Sequence, residues 1–103
     1  MSRIDKLLEY LQTNENDSFL QHALALEYIK IGDDALAEHY FTQILQREPG
    51  YIGSYYHLGK LQERKGEYEN AIATYTKGME FAKAAGDRHA YSELQMAKEE
   101  IEE

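Results

Sequence analysis

The sequence predicts an all-α chain of about six antiparallel helices arranged as a repeat, and three observations predict it. The chain matches itself at an offset of 34 residues: Leu24 falls over Leu58, Gly32 over Gly66, Ala37 over Ala71 and Phe41 over Tyr75. Small residues meet small ones and aromatics meet aromatics, and self-similarity at such a period is the mark of a helical solenoid. Apolar residues recur at intervals of three and four, and no stretch alternates as a half-buried strand does. The single Pro, at position 49, leaves long helices permitted almost everywhere.

The elements follow in order. Ile4, Leu7, Leu8 and Leu11 form one stripe on a first helix, Arg3 to Thr13, and the polar run 14–17 breaks it. Asp17 or Ser18 caps a second helix, Phe19 to Ile31, by accepting a bond from an N–H of its first turn. Its inward stripe is read as Leu20, Leu24, Tyr28 and Ile31, with Ala23 and Ala25 as small neighbours. Gly32 closes that helix, where a left-handed residue costs glycine nothing.

Asp33 or Asp34 opens the third helix, Ala35 to Arg47, with a broad apolar face from Leu36, Ala37, Tyr40, Phe41, Ile44 and Leu45. Pro49 stops it, because helical geometry is disfavoured at the residue before a proline. A fourth helix, Ile52 to Lys65, places Tyr55, Leu58, Gly59 and Leu61 inward. A fifth, Tyr68 to about Ala84, does the same with Ala71, Ile72, Tyr75, Gly78, Met79 and Ala82. The sixth, Arg88 to Glu102, carries Ala90, Leu94, Ala97 and Ile101 on one stripe. Short connections make consecutive helices antiparallel neighbours.

Length and charge bound the function. At 103 residues the chain has room for one domain and one core. A formal charge of −8 repels phosphate backbones, and no Lys/Arg cluster offsets it, so no nucleic-acid partner is expected. Cys is absent, which excludes disulfides, thiolate nucleophiles and Cys-based zinc sites. No apolar run resembles a signal peptide or reaches the roughly 18 residues of a membrane span, so a cytoplasmic chain with no membrane partner is expected.

Catalysis has little to draw on. Four Ser residues lack an evident neighbouring base, and capping accounts for those at helix starts. The carboxylates are scattered over what read as solvated faces. None of His22, His39, His57 and His89 is read as half of an i, i+4 pair with a Glu, the spacing a helical zinc site uses. The chain is expected to be no enzyme and to hold no metal or cofactor.

The spacings resemble the tetratricopeptide repeat, a 34-residue helix–turn–helix unit. The first copy matches at Leu24, Tyr28, Gly32, Ala37, Phe41 and Pro49, with Ala25 in place of Gly; the second matches at Tyr55, Leu58, Gly59, Gly66, Ala71 and Tyr75. Three positions depart: Gln21 stands for the usual aromatic, Gln62 for the usual Tyr, and Lys83 for the usual Pro. Losing that Pro lets the fifth helix run past the normal stop. The resemblance implies a right-handed α-α superhelix divided as a half repeat over 3–17, repeats over 18–51 and 52–85, and a capping helix over 87–102. Repeats of this kind need about three units to bury their faces, a total that two wholes and two halves supply.

Family resemblance also implies a protein-interaction module with a concave inner groove. In that frame the first repeat contributes Phe19, His22, Ala23, Leu26, Ile29 and Lys30. The second contributes Gly53, Tyr56, His57, Lys60, Glu63 and Arg64. Phe19, Leu26 and Ile29 are left over after the core is assigned, and surplus apolar side chains mark a contact surface. Some members of the family clamp a C-terminal carboxylate with Lys, Asn and Arg; His22, Leu26 and His57 occupy those positions here, so no such clamp is implied. The partner expected is a protein or peptide bound in the groove by Phe19, His22, Leu26, Ile29, Lys30, Tyr56, His57, Lys60 and Arg64. The alternative is a homo-oligomerising scaffold joined through exposed apolar helix faces, which leaves monomer or homodimer open.

Overall fold

The computed structural model describes residues 2–102, and every regular element among them is an α-helix: α1 (Arg3–Thr13), α2 (Ser18–Lys30), α3 (Asp34–Arg47), α4 (Gly53–Arg64), α5 (Tyr68–Ala85) and α6 (Arg88–Glu102). The first and last helices keep their expected limits, and the others shift by one residue at one or both ends. The helices form two compact units, residues 1–48 and 49–103.

In the first unit α2 packs against both α1 and α3. A capping box opens α1: Asp5 N donates to Ser2 Oγ at 3.1 Å, and Ser2 N donates to the Asp5 carboxylate at 3.4 Å. Asp17, rather than Ser18, caps α2, accepting from Leu20 N at 3.0 Å; Asp33 does the same for α3 at 3.1 Å from Leu36 N. The reversal between α2 and α3 passes through Gly32 at φ +82°, a conformation that a Cβ would strain.

The core of this unit is Leu7, Leu24, Ala25, Ala37, Phe41 and Ile44, all buried. Three residues of the expected apolar stripes lie outward, the first being Leu8 of α1, 37% exposed. Ile31 is 66% exposed, because α2 ends at Lys30 and the residue after it turns outward as the cap. Leu36, in the first turn of α3, is 39% exposed, so the apolar face of that helix is narrower than its sequence suggested.

Gln21 instead is buried, where the repeat pattern has an aromatic. Its amide donates to Glu15 O at 3.0 Å and its Oε1 accepts from Arg47 Nη2 at 2.9 Å. The same guanidinium nitrogen donates to Ser18 Oγ at 2.7 Å, and the Ser18 hydroxyl passes on to Glu48 at 2.7 Å. Buried polar groups persist only when hydrogen-bonded, and Arg47 meets the demand of two of them from the end of α3.

In the second unit α5 packs against α4 and α6, and α4 also meets α6. Tyr55, Leu58, Leu61, Ala71, Tyr75, Ala82, Leu94 and Ala97 are buried. Two glycines set the closeness of this packing. A Cβ on Gly59 stands 2.2 Å from Tyr75 Cε1, and one on Gly78 stands 2.7 Å from Tyr55 Cβ and 2.9 Å from Leu94 Cδ1. The two buried tyrosines keep their hydroxyls satisfied: Tyr55 donates to Pro49 O and Tyr75 to the Glu63 carboxylate. Burial, with that bond and the Glu63 charge, raises the Tyr75 phenol far above its ordinary range. Gln62, standing for the usual Tyr, accepts from Thr74 Oγ1 at 2.6 Å. Without a proline at 83, α5 continues to Ala85, where Gly86 at φ +72° forms the left-handed cap. Asp87 then starts α6 by accepting from Ala90 N at 3.0 Å.

Candidate functional site

Some of the residues expected to line a groove fall on two clefts, one in each unit: Phe19, His22, Ala23, Leu26 and Lys30 on the first, and Tyr56 and Lys60 on the second, while Ile29, Gly53, His57, Glu63 and Arg64 line neither. In the first unit a cleft of about 360 Å³ is lined by Arg3 of α1 and by Phe19, His22, Ala23, Leu26, Glu27 and Lys30 of α2. One face of α2 supplies six of these because they recur at intervals of three and four, which stack on one side of a helix. Phe19 is 70% exposed, a large ring left in water. His22 sets its ring edge-on to the buried Phe41, centroids 5.4 Å apart. Two cations converge on one carboxylate: Arg3 Nε and Lys30 Nζ lie 3.5 and 2.9 Å from the same oxygen of Glu27. Ile29 is half-buried and lies outside this lining.

In the second unit a smaller cleft of about 110 Å³ is lined by Tyr56 and Lys60 of α4 with Glu93, Met96, Ala97 and Glu100 of α6. Lys60 Nζ is 3.4 Å from Glu63, 3.8 Å from Glu100 and 5.6 Å from the centroid of the Tyr56 ring. The lysine is thus committed to contacts inside its own unit. His57 sets its ring across that of Tyr56, centroids 5.6 Å apart. Burial depresses the His57 pKa, and the Glu93 charge only partly opposes it. Arg64 is exposed at the end of α4, outside the cleft.

Sequence reasoning missed the α1 and α6 contributions, Arg3, Glu93, Met96 and Glu100, along with Glu27. The signal for α6 was present, since Glu93, Met96, Ala97 and Glu100 follow helical spacing, but the extra length of α5 slips the repeat frame there. One reading fails outright: His89 Nε2 lies 3.9 Å from Glu93, an i, i+4 pair. Two side chains are fewer than the three or four ligands zinc takes, and among the described residues no group of three His, Asp or Glu is placed to hold a metal ion. Among the described residues no helix is long and apolar enough to cross a membrane.

Known proteins share this fold. A TPR repeat-containing protein of Pseudomonas aeruginosa is 24% identical over 91 residues, 88% of this chain and 87% of the relative. The crystal structure of a tetratricopeptide repeat domain protein from Salinibacter ruber is 42% identical, superposes with a TM-score of 0.81, and covers 84% of this chain and 96% of its own. The solution structure of a protein from Bordetella parapertussis, 21% identical, shares the fold at a TM-score of 0.84 over 98% of this chain and 88% of its own. The tetratricopeptide repeat family model matches residues 20–51 and again 52–84. With that double match, the helix pairs and the glycine-tight packing of the second unit, the chain belongs to the tetratricopeptide repeat family.

Proposed function

We propose that the chain is a non-catalytic protein–protein interaction module that takes a peptide or a helix on the groove face of its repeats. Family membership supports an interaction role in general. The observation that carries the finer reading is Phe19, 70% exposed on the rim of an apolar cleft with Ala23 and Leu26. An aromatic ring costs little conformational entropy when it docks, and aromatic anchors beside apolar pockets dominate binding energy at interfaces. In the first unit Phe19 and Leu26 act as apolar anchors, with His22 and Lys30 as the polar contacts beside them; in the second, Tyr56 is the apolar contact, with the His57 ring set against it. The chain works without metal or cofactor, in the cytoplasm, on a protein rather than nucleic acid or membrane.

The test is partner capture with the double substitution Phe19→Ala and Leu26→Ala, with circular dichroism as the folding check. Recovery of the cognate partner is expected to fall by about tenfold or more, the loss two anchor residues bring. Undiminished recovery by a folded variant would remove this reading.

A second reading, self-association, has its own observation: Leu8 and Tyr10 on α1 are 37% and 57% exposed. Sedimentation across micromolar concentrations decides it, and a concentration-independent monomer excludes it.

A further inference from the structure

Met96 is 64% exposed on α6, beside the half-buried Tyr56 ring and the buried Ala97. An unbranched thioether left in water next to apolar neighbours is an adaptable contact point. The charges around it are unequal. Lys60 is the only cation lining the cleft, and it is already shared between Glu63 and Glu100. Glu93 lines the cleft as well, so its lining holds one ammonium and two carboxylates; His89, 3.9 Å from Glu93, supplies positive charge only when protonated. Glu93 and Glu100 also stand about one helical turn to either side of Met96.

We infer that this face of the second unit binds a cationic amphipathic segment of a partner protein, an apolar side chain on Met96 flanked by Lys or Arg at helical spacing. The inference rests on the proposal that the groove face binds a protein segment, and it names that segment's chemistry at α4 and α6. An apolar anchor flanked by bases reaches both acids at once, and the formal charge of −8 on the whole chain speeds its approach. Lys60, held by its own acids, does not recruit an acidic ligand here.

The experiment uses two synthetic amphipathic helical peptides with identical apolar positions, one carrying Lys and the other Glu at the flanking positions. Each is titrated into the full chain above pH 7. The Met96 methyl and Phe19 ring signals are followed by NMR. The Lys peptide is expected to move the Met96 signal and the Glu peptide to leave it in place. Replacing Glu93→Gln and Glu100→Gln together is expected to weaken the Lys peptide by about tenfold, and high salt to weaken it further. Equal shifts from both peptides, no Met96 shift from either, or unchanged affinity in the double variant would each overturn the inference. Movement of Phe19 with Met96 unmoved overturns it while leaving the proposed groove function standing.

Discussion

Gly59 lies directly against the ring of Tyr75, close enough that a Cβ on Gly59 would stand 2.2 Å from Cε1 and 2.6 Å from Cζ. The ring has no room to retreat: Tyr75 is fully buried and its hydroxyl is tied to Glu63. In an exposed helix an alanine is better than a glycine by about 1 kcal/mol. Here the added methyl overpacks the core, which costs about 1–3 kcal/mol and more when backbone must move. Gly59→Ala is therefore expected to lower stability by about 1–2 kcal/mol, several degrees in Tm for a chain of this size. Thermal unfolding checks it. Trimming the ring in the same chain, Tyr75→Leu, is expected to cost less in the Gly59→Ala background than alone, and additive losses would contradict the contact.

Arg47 holds the buried polar pair of the first unit. Replacing it by Ala leaves Ser18 Oγ and Gln21 Oε1 without their donor in a buried setting. Each such loss costs about 1–3 kcal/mol, so with two lost a drop of about 2–6 kcal/mol is expected by denaturant titration. Arg47→Lys keeps the charge but not the planar donor group, and an intermediate loss is expected.

The depressed pKa of His57 makes stability depend on pH. Its folded pKa lies below the unfolded value of about 6.5, so the unfolded chain takes up the proton first. Stability is then undiminished above about pH 6.5 and declines as pH falls from there toward the folded pKa, where the loss is complete. Comparing urea midpoints of the parent chain and His57→Gln across this range isolates the contribution. The parent's decline is expected to be the steeper of the two, and parallel curves would refute the assignment.

Phe19 separates folding from binding. With its ring 70% exposed, Phe19→Ser is expected to change stability by no more than about 0.5 kcal/mol. A larger loss in chemical denaturation would mean that the ring supports the fold and is not reserved for a partner.

The six helices were legible from the sequence because their determinants are local: apolar spacing, Asp17 and Asp33 at helix starts, Gly32, Gly66 and Gly86 at turns, and Pro49 as a stop. The repeat offset added the likeness to the family, and it picked out Phe19, His22, Leu26 and Lys30, which line one cleft. Tertiary structure decided what spacing along one helix leaves open. Ile31 and Leu36 fit an apolar stripe yet lie outward, since burial requires another helix opposite, not periodicity alone. Gln21 breaks the apolar pattern yet is buried, because Arg47, 26 residues later, brings the hydrogen bond that makes its burial tolerable. Lys60 looked available to a ligand until α6 brought Glu100 to within 3.8 Å of it. For Gln21 and Lys60 the outcome depends on a residue distant in sequence, and packing alone chooses which distant residue arrives.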